Sequence, residues 1–508
     1  MRGAILIAGT HSDAGKSVVT TGICRWLRRQ GVSVAPFKAQ NMALNSVVAH
    51  DGSEIGRAQA AQAAACGIET EAAMNPVLIK PSGHRHSQIV VMGKPYADVD
   101  ARSYQSLKDE LKPVVADALT DLRARFDVVV CEGAGSPAEV NLRHADLTNM
   151  GLATAHGLPV LVVGDIDRGG VMASLFGTLA LLSETDQAHV GGFLVNKFRG
   201  DASILAPGLT QLEQMTGRPT LGVLPHVEDL WMDVEDSLAL EAPRPEEPAL
   251  ADSLDVAVLR LRWMSNFTDV DALAAEPGVR VRFTRSAADL ERADLVVVPG
   301  TKATVEDLAR LREHGLDRVL AARAARGGPI LGICGGYQLL GETIDDGVES
   351  RRGRVAGLGL LPVTTAFRPD KLLRRRTGAC AWLGTEVAGY EIRHGRVTRH
   401  GGAPLLADGR DGEPDGCRHG DVLGTSWHGA LEHDAFRRAL LRHVARLAGR
   451  DFRPGERPFA AARETRLDVL GDLVEQHVDT ARLCDLIRGG VPAGLPTVHT
   501  EVRTCSVS

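Results

Sequence analysis

The sequence is poor in aromatic residues and has no excess of positive charge. Phe, Trp and Tyr make up 4% of its 508 residues, and the formal net charge is −6 at pH 7. Proteins that bind single-stranded nucleic acid stack bases on aromatic side chains, and duplex binding without sequence preference uses many Lys and Arg residues. We therefore expect no nucleic-acid partner, although this composition allows a local phosphate site.

Long apolar runs and paired cysteines are also missing. No segment reaches the roughly 18 apolar residues of a membrane span, and the apolar N-terminal run enters a glycine loop without a small-residue cleavage site. The eight cysteines form no CxxC pair and lack the density of a disulfide scaffold. These features predict a cytoplasmic protein without a membrane partner, and they leave its oligomeric state open.

The sequence does contain Val- and Ile-rich runs that alternate with glycine-rich turns and Ala- and Leu-rich stretches. This pattern favours an α/β fold in which parallel sheets are covered by helices on both faces. A chain of this length is also too long for one ordinary hydrophobic core. The apolar runs lie at 4–9, 126–135, 158–167, 190–197, 254–261, 279–283, 293–302, 328–338 and 420–429.

An acidic, proline-rich segment separates the two series of runs and is the best domain boundary in the chain. Each domain is predicted to be a mostly parallel sheet flanked by helices. The second domain also contains an Arg- and Gly-rich stretch, 365–419, which we expect to form loops and strands that decorate its sheet. The predicted parts are a first domain at 1–240, a linker at 241–253, a second domain at 254–447, a helical extension at 448–490 and a disordered tail at 491–508.

The segment GTHSDAGKS at 9–17 lies between a strand-like run and a helical one, as a phosphate-binding loop requires. Backbone amides and the helix N-terminus bind phosphate oxygens, while Lys16 supplies charge and Ser17 a hydroxyl for Mg²⁺. Thr10 stands where the usual G-x4-G-K-[ST] loop has glycine. Asn196, at the end of a later strand, is a candidate for contact with the base or for a turn cap. The predicted ATP-binding residues are Thr10, Asp13, Gly15, Lys16, Ser17 and Asn196.

Acidic residues also follow the strand-like runs, where open α/β sheets collect ligands. Glu132 ends one run, and Asp165 and Asp167 follow another. Mg²⁺ bound to phosphates needs only one or two protein carboxylates. The candidate metal ligands are Glu132, Ser17 and Asp51, with a purely structural role for a buried Glu132 as the alternative.

This loop, together with the acidic strand ends, resembles the dethiobiotin synthetase-like group of P-loop ATPases. In that group ATP phosphorylates a carboxylate, which a nitrogen then attacks. The resemblance implies that ATP and Mg²⁺ are needed, and no tightly bound organic cofactor is expected.

The second domain carries Cys334 in GICGGYQLLG, at 332–341, between glycines at a strand-to-helix turn. A helix N-terminus favours the reactive thiolate, and glycines permit a sharp turn. His428, in GTSWHGALEHDAF at 424–436, follows the last strand-like run and is the natural base for such a thiol. Taken singly, the cysteine is explained by a tight turn and the histidine by a structural role, but their combination favours a nucleophile and its base.

The G-x-C-x-G-x-Q pattern with this late histidine resembles the class I glutamine amidotransferase domain, over about 254–445. The resemblance implies that Cys334 attacks the glutamine amide and releases ammonia. It also implies an oxyanion site at Gly300, Thr301 and Gly335, within VVPGTKAT at 297–304 and the cysteine turn, and a contact of Gln338 with glutamine.

One departure concerns the third member of the expected triad. The usual H-x-E is replaced here by His428, Gly429 and Ala430. The sequence therefore favours a Cys334–His428 dyad, and it leaves open whether any other carboxylate orients the imidazole. This missing glutamate is typical of the branch that amidates the corrin ring.

The two halves together resemble the cobyrinate amidotransferases over 1–490. The segments that carry this closer resemblance are FKAQNMALNS (37–46), EIGRAQAAQA (54–63), NPVLIKP (75–81), CEGAGSPAEVNLR (131–143), DLTNMGLA (146–153), GDIDRGGV (164–171) and NKFRGD (196–201). The resemblance implies amidation of four peripheral carboxylates (b, d, e and g) of adenosylcobyrinic acid a,c-diamide, with a corrinoid, glutamine and ATP as substrates. GYEIRHG, at 389–395, departs from the family's GYEIHMG.

Polar residues in these segments are candidates for contact with the corrin side chains, or alternatively for turns and caps. They are Gln40, Asn41, Asn45, Asn141, Asp146 and Asn149. Two other enzymes share both halves, the synthase that makes the a,c-diamide and an amidotransferase of a cell-wall lipid precursor. A non-enzyme alternative is a partition or scaffold ATPase whose second domain is degenerate.

Overall fold

The first half of the chain contains twelve described strands. The computed structural model describes residues 1–82, 86–227 and 253–498, so most of the predicted linker lies outside the described residues. The strands are β1 (Gly3–Gly9), β2 (Val34–Phe37), β3 (Gln40–Met42), β4 (Ser46–Val48), β5 (Glu54–Gly56), β6 (Val77–Pro81), β7 (Ser87–Val91), β8 (Lys94–Val99), β9 (Val128–Glu132), β10 (Val160–Asp165), β11 (Val190–Phe198) and β12 (Thr220–Pro225).

Seven α-helices lie among the described residues of this half, and one six-stranded parallel sheet forms the centre of the domain. Its strand order is β12-β11-β10-β1-β9-β2. The apolar runs become buried strands because hydrophobic clusters cover both faces of the sheet. The helices are α1 (Lys16–Arg29), α2 (Arg57–Cys66), α3 (Ala101–Arg125), α4 (Met150–His156), α5 (Val171–Ala180), α6 (Glu184–Gln187) and α7 (Ala206–Thr216).

Two smaller sheets flank this centre. One has the order β3-β6-β7-β8, and the other is the antiparallel hairpin of β4 and β5. This hairpin leads directly into α2 and packs against the second domain, where its valines join a shared apolar cluster with Tyr390 and Ile392.

The second half of the chain repeats the same design. Its strands are β13 (Leu254–Leu259), β14 (Val279–Thr284), β15 (Leu295–Val298), β16 (Ile330–Ile333), β17 (Thr343–Asp346), β18 (Gly353–Ala356), β19 (Val363–Cys380), β20 (Thr385–Arg399), β21 (Leu406–Asp408), β22 (Pro414–Asp415), β23 (Cys417–His419) and β24 (Val422–Thr425). The central sheet, β14-β13-β15-β16-β24-β23, is parallel except for β23 at its edge. This confirms the predicted α/β architecture.

The helices of this half cover both faces of that sheet, where two further apolar clusters lie. They are α8 (Asp271–Ala274), α9 (Ala287–Arg292), α10 (Thr304–Glu313), α11 (Leu316–Ala325), α12 (Gly335–Leu340) and α13 (Asp434–Ala448). Two more helices follow in the chain and pack on the first domain instead, α14 (Phe459–His477) and α15 (Thr480–Gly489). In the part of the chain that the structure describes, no helix is long and apolar enough to cross a membrane.

The Arg- and Gly-rich stretch is more regular than we predicted. β19 and β20 pair as a long antiparallel hairpin and belong to a separate sheet, not to the edge of the central one. Burial alternates from residue to residue at the start of β19, over 363–367, and three consecutive arginines follow at 374–376. The hairpin extends to the first domain, where β20 contacts β4.

The last helices return to the first domain. α14 packs along α1, where Arg25 pairs with Glu464 and Asp468 at 2.9 and 2.7 Å. The expectation of a disordered tail from residue 491 is wrong for 491–498, because Val498 exchanges two hydrogen bonds with Gln187, of 2.8 and 3.0 Å. Residues 499–508 lie outside the described residues.

Candidate active sites

Cys334 lies at a sharp turn between β16 and α12. Its backbone has φ 51° and ψ −107°, a conformation that residues with a side chain rarely adopt. A Cβ on Gly336 would lie 1.9 Å from the Val298 carbonyl oxygen, and one on Gly335 would lie 2.7 Å from the Thr301 nitrogen. Only glycine therefore fits at the two positions after the cysteine, and the turn packs closely against the backbone of Val298 and Thr301.

His428 follows β24 and lies next to this thiol. Its side chain interacts with that of Cys334, and its Nδ1 lies 2.7 Å from Oδ2 of Asp269. The other oxygen of Asp269 accepts a hydrogen bond of 2.7 Å from the Gly429 amide. Burial alone would lower the pKa of His428, but the negative charges of Asp269 and Cys334 raise it to about 10. The imidazole is thus held in its protonated form at neutral pH.

The structure adds a carboxylate to the favoured dyad of Cys334 and His428. Asp269 occupies the orienting position, although it lies far from His428 in the sequence, in a helical turn (Phe267–Val270) just before α8. Its side chain is almost completely buried, so its charge is poorly screened by water. Glu432, near the histidine in sequence, instead forms a 2.5 Å ion pair with Arg57 of the first domain.

The residues expected to bind glutamine surround the same point. A narrow cavity of about 40 Å³ is lined by Cys334, Gly335, Thr301 and Gln338, among others. Thr304 Oγ1 donates to Gln338 Oε1 at 3.4 Å. A Cβ on Gly300 would lie 3.0 Å from the Cε1 atom of His428. The structure therefore brings the predicted oxyanion and glutamine residues to the Cys334–His428 pair.

The phosphate loop connects β1 to α1 in the first domain. Gly15 has φ 98°, and a Cβ there would lie 1.9 Å from Nδ2 of Asn196, so this position needs glycine. Lys16 Nζ donates to the carbonyl oxygens of His11 and Gly135, both at 3.0 Å. Asn196 donates to Ala14 at 3.1 Å, so its side chain supports the loop from β11.

Two further loop residues differ in their surroundings. The Thr10 hydroxyl is buried and has no hydrogen-bond partner among the residues that the structure describes. Asp13 has a φ of 63°, is exposed, and lies 3.6 Å from Arg168. Thr10 thus offers a free polar atom inside the loop, whereas Asp13 lies at its outer side.

Ser17 and Glu132 form the candidate metal position. The Ser17 hydroxyl donates to Glu132 at 2.8 Å, and Lys38 and Gln62 donate to the same carboxylate at 2.9 and 2.5 Å. Burial would raise the pKa of Glu132, but Lys38 and the two hydrogen bonds outweigh it and hold the pKa below its usual range. An ionised carboxylate beside a hydroxyl is the oxygen donor set that Mg²⁺ prefers, so these residues fit the ion.

Asp51, the third candidate metal ligand, has other contacts. Its carboxylate accepts hydrogen bonds from the Ser53 amide at 2.9 Å and the Ala72 amide at 3.1 Å, in the turn between β4 and β5. Those bonds lower its pKa although burial opposes them. We therefore do not include Asp51 among the candidate metal ligands. Its carboxylate stabilises the turn between β4 and β5.

Lys38 and Gln62 are site residues that our sequence analysis missed. Both lie within segments that carry the family resemblance, FKAQNMALNS and EIGRAQAAQA, but neither segment indicates which residue faces Glu132. Only the approach of β2 and α2 to the end of β9 brings them together.

The six candidate corrin residues do not form one cluster of free groups. Asn45 accepts a hydrogen bond of 3.2 Å from the Phe267 amide, and Asn41 donates to Gln59 at 2.8 Å. Gln40 accepts from Tyr104, Asp146 accepts from three backbone amides, and Asn141 is exposed.

Asn149 differs from the other five. It donates to Ala134 at 2.6 Å, and its own oxygen is buried without a partner among the described residues. A Cβ on Gly133 would lie 2.1 Å from that oxygen. Asn149 thus adjoins the loop that follows Glu132, whereas Asn45 belongs to the domain interface.

The two sites are linked by direct contacts between the domains. Asn266 lies three residues before Asp269. It exchanges two 3.0 Å hydrogen bonds with the backbone of Ser46 in β4. The Tyr390 hydroxyl also donates to Ser46 at 3.2 Å, while its ring stacks on His428 at 5.6 Å. The first domain therefore braces the residues that position the histidine.

A phosphate-loop domain joined to a Cys–His–Asp site of this geometry defines a glutamine amidotransferase with its own nucleotide-binding domain. Two family models match, a "CobQ/CobB/MinD/ParA nucleotide binding domain" over residues 5–239 and a "CobB/CobQ-like glutamine amidotransferase domain" over 255–436. The chain belongs to the cobyric acid synthase family, and it is a glutamine-using amidoligase.

The relatives cover nearly the whole chain. The cobyric acid synthase of Frankia casuarinae is 58% identical and covers 98% of this chain, which spans 99% of that relative. The one from Streptomyces coelicolor is also 58% identical, with the same coverage. That of Rhodococcus jostii is 56% identical and covers 99% of this chain, which spans 98% of its length.

Proposed function

We propose that this enzyme converts four peripheral carboxylates of adenosylcobyrinic acid a,c-diamide to carboxamides, using ATP and glutamine, to give adenosylcobyric acid. The observation that carries the proposal is the presence of a phosphate loop and a Cys334–His428–Asp269 site in one chain whose relatives are cobyric acid synthases along nearly their whole length. Nitrogen released at one site and a carboxylate activated at the other together account for an amide product.

In the second domain, the Cys334 thiolate attacks the side-chain amide carbon of glutamine. The amide bond breaks, and ammonia leaves with a proton from His428, which Asp269 holds in position. The amides of Thr301 and Gly335 receive the oxyanion. Water then hydrolyses the thioester, which releases glutamate and restores the thiol.

In the first domain, the γ-phosphoryl group of ATP passes to a corrinoid carboxylate and forms an acyl phosphate and ADP. Ammonia attacks that carbonyl carbon, and inorganic phosphate leaves. Lys16 and the loop amides bind the phosphate oxygens. Ser17 and Glu132 would hold Mg²⁺, which neutralises phosphate charge when bound.

The direct test is one incubation of the protein with the a,c-diamide, Mg-ATP and glutamine, read by mass spectrometry. We expect glutamate release and successive products that end at the tetra-amidated corrinoid. Unchanged corrinoid, with ATP turnover only on another acid, would refute the assignment. A product with the first two amides, formed from unamidated cobyrinic acid, would indicate the a,c-diamide synthase instead.

Cys334→Ala separates the roles of the two domains. We expect this variant to lose glutamine-dependent synthesis and to keep synthesis with added ammonia, because only the nitrogen source is removed. Loss of both activities would contradict the division of labour between the domains. Nucleotide-dependent assembly without glutamate release, in the presence of corrinoid and ATP, would favour the scaffold ATPase.

A further inference from the structure

The cavity at Cys334 has an unusual number of buried charges. Besides the nucleophile and Gln338, its charged lining consists of Lys80, Lys302, Lys371, Glu349 and Arg393, of which Arg393 is paired with Glu391 at 2.5 Å. Glutamine inserts its neutral side-chain amide toward the sulfur, which needs none of these ions. Buried charges are costly unless paired, so their presence calls for a partner or a ligand.

Two of the lysines are already committed to another group. Lys80 and Lys371 both contact the fully buried Glu54 of β5, at 2.5 Å each. Glu54 also accepts a 2.8 Å hydrogen bond from Ser46. Glu54 therefore links Lys80 of the first domain to Lys371 of the second domain at the wall of the cavity.

Lys302 and Glu349 form a separate pair at the cavity wall. Lys302 directly follows Thr301, and its ammonium bonds to the Glu349 carboxylate. Burial opposes the charged form of Lys302, but Glu349 raises its pKa above the usual value. Among the described residues that line the cavity, Glu349 is the one carboxylate.

The position of Glu349 is fixed by its own loop. Asp346, at the end of β17, accepts hydrogen bonds from the amides of Val348, Glu349 and Ser350, at 3.0, 2.8 and 2.9 Å. Lys302 is held on the other side by its amide, which donates to Trp263 at 2.9 Å. The pair is therefore preorganised from two different elements, β17 and the segment after β15.

We propose that Lys302 binds the α-carboxylate of glutamine and that Glu349 binds its α-ammonium group. The inference rests on the proposed glutaminase function of Cys334. Both charged groups of glutamine are attached to one carbon, so they need two opposite charges that lie side by side, as these do. When glutamine binds, the ion pair of Lys302 and Glu349 separates. Each of the two side chains then pairs with the oppositely charged group of the glutamine zwitterion, so neither buried charge is left without a partner.

The test measures glutaminase kinetics for the wild-type enzyme, Lys302→Met and Glu349→Gln, each in the presence of ATP and corrinoid. Substrates are glutamine, glutaramate, which lacks the α-ammonium, and 4-aminobutanamide, which lacks the α-carboxylate. Loss of one charge-assisted contact is expected to raise KM for glutamine about ten- to hundredfold with little change in kcat. The wild-type enzyme should use both analogues poorly.

The two analogues identify which charged group of glutamine each residue binds. Glu349→Gln should lose its preference for glutamine over glutaramate, and Lys302→Met should lose its preference for glutamine over 4-aminobutanamide. Discrimination as strong as in the wild type would overturn the proposal. If Lys371→Met, rather than Lys302→Met, removes the carboxylate preference, the assignment of Lys302 is wrong.

Two controls separate this inference from the proposed function. Arg282→Met removes a cation from another ion pair of the same domain, with Asp289 at 2.7 Å, and should leave all three KM values unchanged. Ammonia-driven synthesis should persist in every variant. If a variant loses ammonia-driven synthesis, the conservative change at the same position replaces it, Lys302→Arg or Glu349→Asp. Both conservative variants keep the charge, so the KM for glutamine should return toward the wild-type value. An inactive wild-type glutaminase would instead count against the function proposed for Cys334.

Discussion

Replacement of Asp269 by Asn tests the site most sharply, because it removes one charge and keeps the shape of the side chain. Asp269 contacts His428 Nδ1 and the Gly429 amide, both at 2.7 Å. It acts with Cys334 to raise the pKa of His428 from its ordinary 6.5 to about 10. At about 1.4 kcal/mol per pKa unit, the two negative groups stabilise the imidazolium by several kcal/mol.

The expected result is a fall of about 10²- to 10⁴-fold in kcat/KM for glutamine, the range that a misoriented acid–base group costs. Synthesis with added ammonia should remain near the wild-type level, because the carboxylate-activating site is untouched. Parallel assays with glutamine and with ammonium chloride measure both. Asp289→Asn, in a half-buried ion pair of the same domain, is the matched control.

The pH profile gives a second readout with a definite sign. Since the pKa of His428 is raised in the folded protein, its charge stabilises the fold fully below about 6.5 and is lost as the pH rises through about 10. In Asp269→Asn, the alkaline fall of glutaminase activity should move to lower pH. An unchanged profile, or a loss of glutamine use below tenfold, would refute the role of Asp269.

The remaining predictions concern the phosphate loop, the metal position and the cysteine turn. Lys16→Ala should lower synthesis with glutamine and with ammonia alike, because both depend on ATP; unimpaired ammonia-driven synthesis would count against the loop. Glu132→Gln should raise the Mg²⁺ concentration needed for half-maximal ammonia-driven synthesis, whereas Asp51→Asn should not; equal effects would contradict our choice between them. Gly336→Ala should lower the urea midpoint and abolish glutamine use, since its Cβ would lie 1.9 Å from Val298 O; normal stability would show that the turn tolerates a side chain.

The parts of the site that sequence analysis located are those built from short segments. Cys334 and its glycines occupy adjacent positions, and Ser17 lies in a short phosphate-loop pattern that departs from the usual one only at Thr10. The parallel sheets were likewise predictable, because a strand buried on both faces is apolar at nearly every position.

The site residues that sequence analysis did not identify are those brought together from distant parts of the sequence. Asp269 reaches His428 only because β13 and β24 lie in the same sheet and the turns that follow them meet at one end. No local pattern marks Asp269 among the other acidic residues. Asn45, a candidate for contact with the corrin or for a turn, accepts a hydrogen bond from the second domain, because a polar residue in a family segment can serve either the ligand or the interface.

The return of α14 and α15 to the first domain has a consequence for the order of folding. The apolar cluster on that face of the first sheet contains Val19 and Ile23 from α1 together with Val474 and Ile487 near the end of the chain. Contacts so far apart in sequence cannot form until α14 and α15 have been synthesised. The glutaminase domain, whose core residues lie between Leu254 and Ala445, has all of its own partners earlier. We therefore expect the glutaminase domain to fold on the ribosome before the first domain, which is incomplete until α14 and α15 have been synthesised.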